Sequence, residues 1–147
     1  MTFIYLGKYL RGILMKNQDV IHLLNQRIRY IQKSLNDKLK KFGLYNAQWT
    51  ILFSLKKNGA MTQTEIMRYL NVEAPTVTRT IRRMEDNGWV KKVRGKDKRE
   101  RRIELTETAK LKYDEIEQTV ANHDQAMLNQ LTDEEKDTLY QLLKKLG

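Results

Sequence analysis

Apolar residues recur at steps of three and four through the first third of the chain: Ile21, Leu24, Ile28, Ile31, Leu35, Leu39 and Phe42. Arg27, Arg29, Lys33, Lys38 and Lys40 fall on other faces. This spacing predicts one long amphipathic helix, ended by Gly43. Asn46 then reads as the cap of a second helix, Ala47 to Lys57. Trp49, Ile51, Leu52, Phe53 and Leu55 make that helix nearly apolar all round, so it belongs at the centre of the core. Beyond Asn58-Gly59, Thr62 stands three residues before Glu65, the spacing of a reciprocal cap, and a short helix with Ile66 and Leu70 inward should follow. A tight Asn71-Val72 connection leads to a further helix, Ala74 to Asn87, with Pro75 in its first turn and Gly88 past its end. Two short helices about a short turn make a helix-turn-helix candidate.

The period then changes. Trp89 to Val93 and Arg102 to Leu105 are β-prone runs on either side of the charged stretch Arg94 to Arg101, which predicts a hairpin with a long basic tip. From Glu107 the helical period returns, with Ala109, Tyr113, Ile116, Val120, His123, Met127 and Leu131 on one seam. A last helix from Asp133 carries Leu139, Leu142, Leu143 and Leu146. The expected fold is mainly α with a small β-hairpin wing: a winged helix-turn-helix with long N- and C-terminal dimerisation helices.

At 147 residues the chain fits one domain. Within it we expect an N-terminal dimerisation helix with its extension (1–45), a winged-helix module (46–105) and C-terminal dimerisation helices (106–147). One proline and seven glycines leave little loop chemistry. There is no cysteine, which excludes disulfides, thiolate metal sites and thiol-based sensing. Phe3 to Met15 is apolar, but Lys8 and Arg11 interrupt it and no small-residue cleavage site follows. No run reaches membrane-spanning length, so a cytoplasmic protein without membrane insertion is expected.

A net charge of +10 points to a polyanionic partner or an anionic membrane surface. Met1 to Met61 holds 11 basic and 2 acidic residues, Thr62 to Leu105 holds 12 and 7, and Thr106 to Gly147 holds 5 and 9. On the helix from Ala74, Val77, Ile81 and Met84 share one stripe, with Pro75, Thr76, Arg79, Arg82 and Arg83 opposite. Short side chains near its start permit close approach to a major groove, where arginine contacts guanine O6 and N7 bidentately. Thr76 and Arg79 are the expected base readers, and Thr62, Pro75, Thr78, Arg82 and Arg83 complete the expected DNA surface of the two helices. A solvated face with Arg82 and Asp86 paired across one turn would look the same in isolation. The neighbouring hairpin changes that balance. Lys91, Lys92, Arg94, Lys96, Lys98, Arg99, Arg101 and Arg102 fall within twelve residues, suited to phosphates and a minor groove. Lys96, Lys98 and Arg99 are its expected DNA contacts, and Asp97 and Glu100 argue for internal pairing that shapes the tip.

Met61-Thr-Gln-Thr-Glu-Ile-Met-Arg-Tyr-Leu70, Pro75-Thr-Val-Thr-Arg79, Asn87-Gly-Trp-Val90 and Asp97-Lys-Arg-Glu-Arg-Arg102, leading to Leu105-Thr106, resemble the multiple antibiotic resistance regulator (MarR) family. The resemblance starts at about Ile28, passes through Gly43-Leu-Tyr-Asn-Ala-Gln-Trp49 and runs to the terminal helix. It implies that the helix from Ala74 enters the major groove, that the hairpin is the wing, and that the terminal helices of two subunits interlock. By the same resemblance Asp97 pairs within the wing and holds Arg99 toward the minor groove, while Arg102 braces the hairpin base. Glu100 and Ala109 depart from the family's commoner aspartate and glycine. The residues before Asp19 extend past its usual start, which leaves open a longer first helix, packing on a partner, or a true start at Met15.

Ile21, Leu24, Ile28, Val120, His123, Met127, Leu139 and Leu142 are the expected homodimer contacts. His22 and His123 lie on different helices, so no metal site is expected. The carboxylates from Asp133 to Asp137 suit a helix start. No phosphate-cradling loop or nucleophile motif is present, and neither catalysis nor a cofactor is assigned. Met15, Met67, Met84 and Met127, with Tyr30, Tyr45, Trp49 and Tyr113, either pack the core or line a cleft for a small aromatic or apolar effector. The expected function is that of a homodimeric, sequence-specific regulator, a repressor, on double-stranded DNA with an inverted-repeat operator. The alternatives are a basic membrane-surface protein or a general nucleic-acid coat.

Overall fold

The computed structural model describes residues 15–147. The expectations placed on residues 1–14 lie outside the described residues. Helix α1 (Asn17–Leu39) runs into a 3-10 turn, Lys40–Phe42, and stops at Gly43, whose φ of 70° is the left-handed conformation that glycine adopts without cost. The chain divides into two compact units between Ser34 and Leu35, inside α1. In the first unit Val20, Ile21, Leu23, Ile28 and Ile31 are all exposed. In the second, Leu35 and Leu39 open the core.

Helix α2 (Asn46–Asn58) starts one residue earlier than expected, with Tyr45 and not Asn46 as its cap. The first N–H groups find other acceptors: Gln48 Oε1 takes that of Tyr45 at 3.0 Å, and Asn36 Oδ1 takes that of Asn46 at 2.7 Å. Trp49, Ile51, Leu52 and Leu55 are buried as the apolar pattern requires, whereas Phe53 is exposed.

Helix α3 (Gln63–Leu70) begins at the expected cap. Thr62 Oγ1 accepts the Glu65 N–H at 3.1 Å and Glu65 Oε2 accepts the Thr62 N–H at 3.0 Å. Asn71, with φ 53°, turns the chain toward helix α4 (Ala74–Asp86). Ile66 is fully buried, worth about 1.5–3 kcal/mol of burial. Val77, Ile81 and Met84 supply the inner stripe of α4.

The hairpin strands lie one residue from their expected limits, at β2 (Val90–Arg94) and β3 (Arg101–Leu105). A third strand, β1 (Met61–Thr62), was not foreseen. It pairs antiparallel with β3, Met61 opposite Ile103 and Thr62 opposite Arg102, so the sheet order is β1-β3-β2. Two residues carry too little alternation to read as a strand. Helix α5 (Glu107–Leu128) buries Ala109, Tyr113, Ile116, Val120 and His123 along the expected seam, but ends before Leu131. Helix α6 (Asp133–Leu143) is capped by Thr132 and leaves Leu139, Leu142 and Leu143 exposed. Burial pushes the Tyr113 phenol up to about 12, with Glu117 and Asp114 adding to the rise.

Candidate nucleic-acid interface

The inner stripe of α4 faces the core, so its opposite side is turned outward by the helical period alone. Pro75, Thr76, Thr78, Arg79, Arg82 and Arg83 are all exposed. Among the described residues none of the three arginines has a carboxylate within 4.0 Å, and Arg82 is not paired with Asp86. A solvated helix face of mixed charge would pair at this spacing. Here the cations stay available to an external anion. The Thr78 hydroxyl, by contrast, is engaged inside the protein: it donates to Ala74 O at 2.9 Å and accepts from Gln63 Nε2.

The hairpin cations fall into two groups. Lys91 pairs across the strands with Glu104 at 3.4 Å, Lys92 reaches Glu85 on α4 at 3.3 Å, and Arg102 bonds Glu100 at 3.0 Å and Glu65 at 3.4 Å. Arg102 Nη1 also donates to Ala60 O at 3.0 Å. One guanidinium therefore ties the hairpin base to the strand before α3 and to the carboxylate of the α3 cap. Arg94, Lys96, Lys98, Arg99 and Arg101 have no carboxylate within 4.0 Å among the described residues. They form the cationic tip, within which the Arg101 guanidinium donates to Lys98 O at 3.1 Å.

Backbone bonds give that tip a shape. Gly95 N–H donates to Glu100 O at 3.1 Å, and Glu100 N–H donates to Asp97 O at 3.0 Å. Asp97 Oδ1 accepts the Arg99 backbone N–H at 3.2 Å, so it reaches Arg99 through the main chain. A Cβ at Gly95 would collide with the Glu100 carboxylate on its way to Arg102. Sequence reasoning passed over the roles of Gln63, Gly95 and the Ala60 carbonyl, and it read Glu65 as a cap partner without its bond to Arg102. Glu100 stands just before β3 and two residues from Arg102, a spacing that places side chains on one side of an extended chain.

Among the grooves that border these elements, two lie against α2. One, of about 270 Å³, lies between the start of α2 and the outer face of α4 and is lined by Tyr45, Gln48, Thr76 and Arg79 among others. The other, of about 300 Å³, lies between α2 and α5, walled by Trp49, Phe53 and Val120 and rimmed by Glu117 and Asp124. Of the residues considered for an effector cleft, Met84 and Tyr113 are buried in the core, whereas Trp49 lines the α2/α5 groove and Tyr45 the α2/α4 groove. Of the expected dimer contacts, Ile21, Ile28, Leu139 and Leu142 are exposed, and Leu24 and Met127 are half-buried. Val120 and His123 are already covered within the single chain. His123 Nδ1 lies 3.1 Å from Asp124 Oδ1, and its Nε2 has no partner among the described residues. No group of three or more His, Cys, Asp or Glu gathers to hold a metal among the described residues. No described helix is long and apolar enough to cross a membrane.

Residues 44–101 match the family model described as MarR family. An uncharacterized HTH-type transcriptional regulator, YwoH of Bacillus subtilis (strain 168), is 47% identical over 128 residues, covering 87% of this chain and 93% of that one. The multiple antibiotic resistance protein MarR of Escherichia coli (strain K12) is 30% identical over 129 residues, covering 86% and 88%. A crystal structure of a mutant E. coli MarR complexed with operator DNA superposes with a TM-score of 0.81 at 26% identity, covering 92% of this chain and 95% of that one. With an outward, unpaired arginine face on α4 and a braced cationic hairpin beside it, this chain belongs to the MarR family of DNA-binding transcription regulators.

Proposed function

We propose that the protein acts as a cytoplasmic homodimer that represses transcription from an inverted-repeat operator, by binding and not by catalysis. Each subunit offers α4 to one major groove, with Thr76 and Arg79 at base edges. Thr62, Pro75, Arg82 and Arg83 lie on the surrounding contact surface, and Lys96, Lys98 and Arg99 of the wing serve phosphates and the minor groove. Asp97 and Arg102 keep the wing in shape. The observation that carries this reading is the set of α4 arginines left without carboxylate partners among the described residues. Leucines exposed on α6 support a second copy as the partner, because an apolar surface of this kind is stabilised by removal from water. The α2/α5 groove, with its Trp49 and Phe53 walls, offers a small aromatic or apolar effector a place from which to alter the spacing of the two α4 helices.

Selection of bound sites from random duplex DNA, followed by footprinting, tests the reading. The expected result is a palindromic site with half-sites about 10 bp apart, protected on one face of the duplex. Retention that depends only on duplex length would overturn it in favour of a general nucleic-acid coat. Co-sedimentation with anionic vesicles at physiological salt would favour a membrane-surface role instead.

A further inference from the structure

Gln63 is the first residue of α3, directly after the cap Thr62. Its Nε2 donates to Thr78 Oγ1, and that hydroxyl donates onward to Ala74 O at 2.9 Å. A hydroxyl has one proton and two lone pairs, so in this arrangement Thr78 has no donor left for a base or a phosphate. The backbone carrying Gln63 is itself held. The Thr62/Glu65 box closes beneath it, and Arg102 Nη1 grips Glu65 Oε2 at 3.4 Å and Ala60 O at 3.0 Å.

Val77, Ile81 and Met84 dock α4 by apolar burial, an attraction that is itself not directional. A helix with side chains is about 10–12 Å across, so a rotation of about 10° moves an outer atom by about 1 Å. Hydrogen bonds to a base edge tolerate less than that. The Gln63–Thr78 bond adds a directional tie at the start of α4, and the Lys92–Glu85 pair adds one near its end.

We infer that Gln63 is a positioning residue for base reading: through Thr78 it sets the rotational phase of α4 and so the placement of Arg79, without touching DNA itself. Thr78 is then an internal strut, not a base contact. This rests on the base-reading role of α4 proposed above.

The test compares the full-length chain with Gln63→Ala, Thr78→Val, the double variant and Thr78→Ser. Each is titrated with the selected operator and with an unrelated duplex of equal length, at a temperature where melting curves show every variant folded. Gln63→Ala and Thr78→Val should each lower the operator-to-unrelated affinity ratio about fivefold, the worth of one neutral hydrogen bond. Affinity for the unrelated duplex and its salt dependence should not move. The double variant should be no worse than either single one, and Thr78→Ser should keep the original ratio.

An unchanged ratio in Gln63→Ala, or additive losses in the double variant, would overturn the role. So would equal loss on both duplexes with a shallower salt slope, which would make Gln63 a phosphate contact. Loss in Thr78→Ser with retention in Thr78→Val would make the Thr78 methyl a base reader. An unsubstituted chain without operator preference would overturn the base-reading assignment itself, a failure separate from that of Gln63.

Discussion

The outer face of α4 and the exposed face of α6 are both left incomplete by the folded chain, in opposite chemical senses. On α4 the inner stripe is buried, yet Arg79, Arg82 and Arg83 are exposed with no carboxylate within 4.0 Å among the described residues. On α6 the cap is closed and the first turn is acidic, yet Leu139, Leu142 and Leu143 are turned to solvent. The first surface lacks an anion and the second lacks an apolar cover. A charged face in water costs little to leave open, whereas exposed apolar surface favours burial at roughly 25 cal/mol per Å². The two differ accordingly in what should happen before DNA arrives: the α6 face should already be occupied by its partner, and the α4 face should wait.

The largest expected effect comes from breaking the apolar side. With Leu139→Asp and Leu142→Asp together, the mass measured by light scattering should halve. Operator affinity should fall by about a hundredfold or more, because two half-sites would no longer be engaged by one linked molecule. An unchanged mass would remove these leucines from the interface.

Breaking the charged side should be more selective. Arg79→Ala should reduce discrimination between operator and mismatched sites by about 1–3 kcal/mol. Arg99→Ala should weaken binding to all duplexes alike and reduce the salt slope by about 1. Titrations at several salt concentrations separate the two, and the same pattern for both variants would erase the distinction between reader and wing.

A smaller effect is expected where α3 is anchored. Thr62→Ala removes the side-chain cap and should lower folding stability by roughly 1 kcal/mol in urea unfolding, with the dimer intact. Smaller still, and confined to alkaline solution, is the contribution of Tyr113. Its phenol, normally at 10.0, is raised to about 12 by burial, so the unfolded chain loses its proton first as pH rises. Stability from this group is therefore complete below about pH 10 and drains away toward pH 12. Tyr113→Phe should show a shallower decline in urea midpoint across that range, and parallel curves would exclude the linkage.

The cap at Thr62, the inward stripe of α4, the hairpin and the seam of α5 were legible from the chain because each rests on neighbours within one or two turns or strand steps. Spacing alone says which side of such an element is apolar. The cap at Tyr45 was not legible, since Asn46 has the side chain of a cap but its N–H is claimed by Asn36 ten residues earlier. Nor was β1, whose two residues become a strand only because β3 lies beside them.

The same division runs through the site. Composition and period placed cations on the outside of α4 and at the hairpin tip. They could not tell which cations are spent internally. Lys91, Lys92 and Arg102 are engaged by Glu104, Glu85 and the Glu100/Glu65 pair, while Arg94, Lys98 and Arg99 have no carboxylate partner among the described residues. Thr78 likewise read as a DNA contact, and nothing along the chain shows that Gln63, fifteen residues away, bonds its hydroxyl. The sequence by itself determined the long elements, the buried faces of α4 and α5, and the family, because those follow from local periodicity and ordered motifs. Only the tertiary structure decided which polar groups are left unsatisfied, because an ion pair or hydrogen bond depends on distances of a few ångströms between residues far apart along the chain.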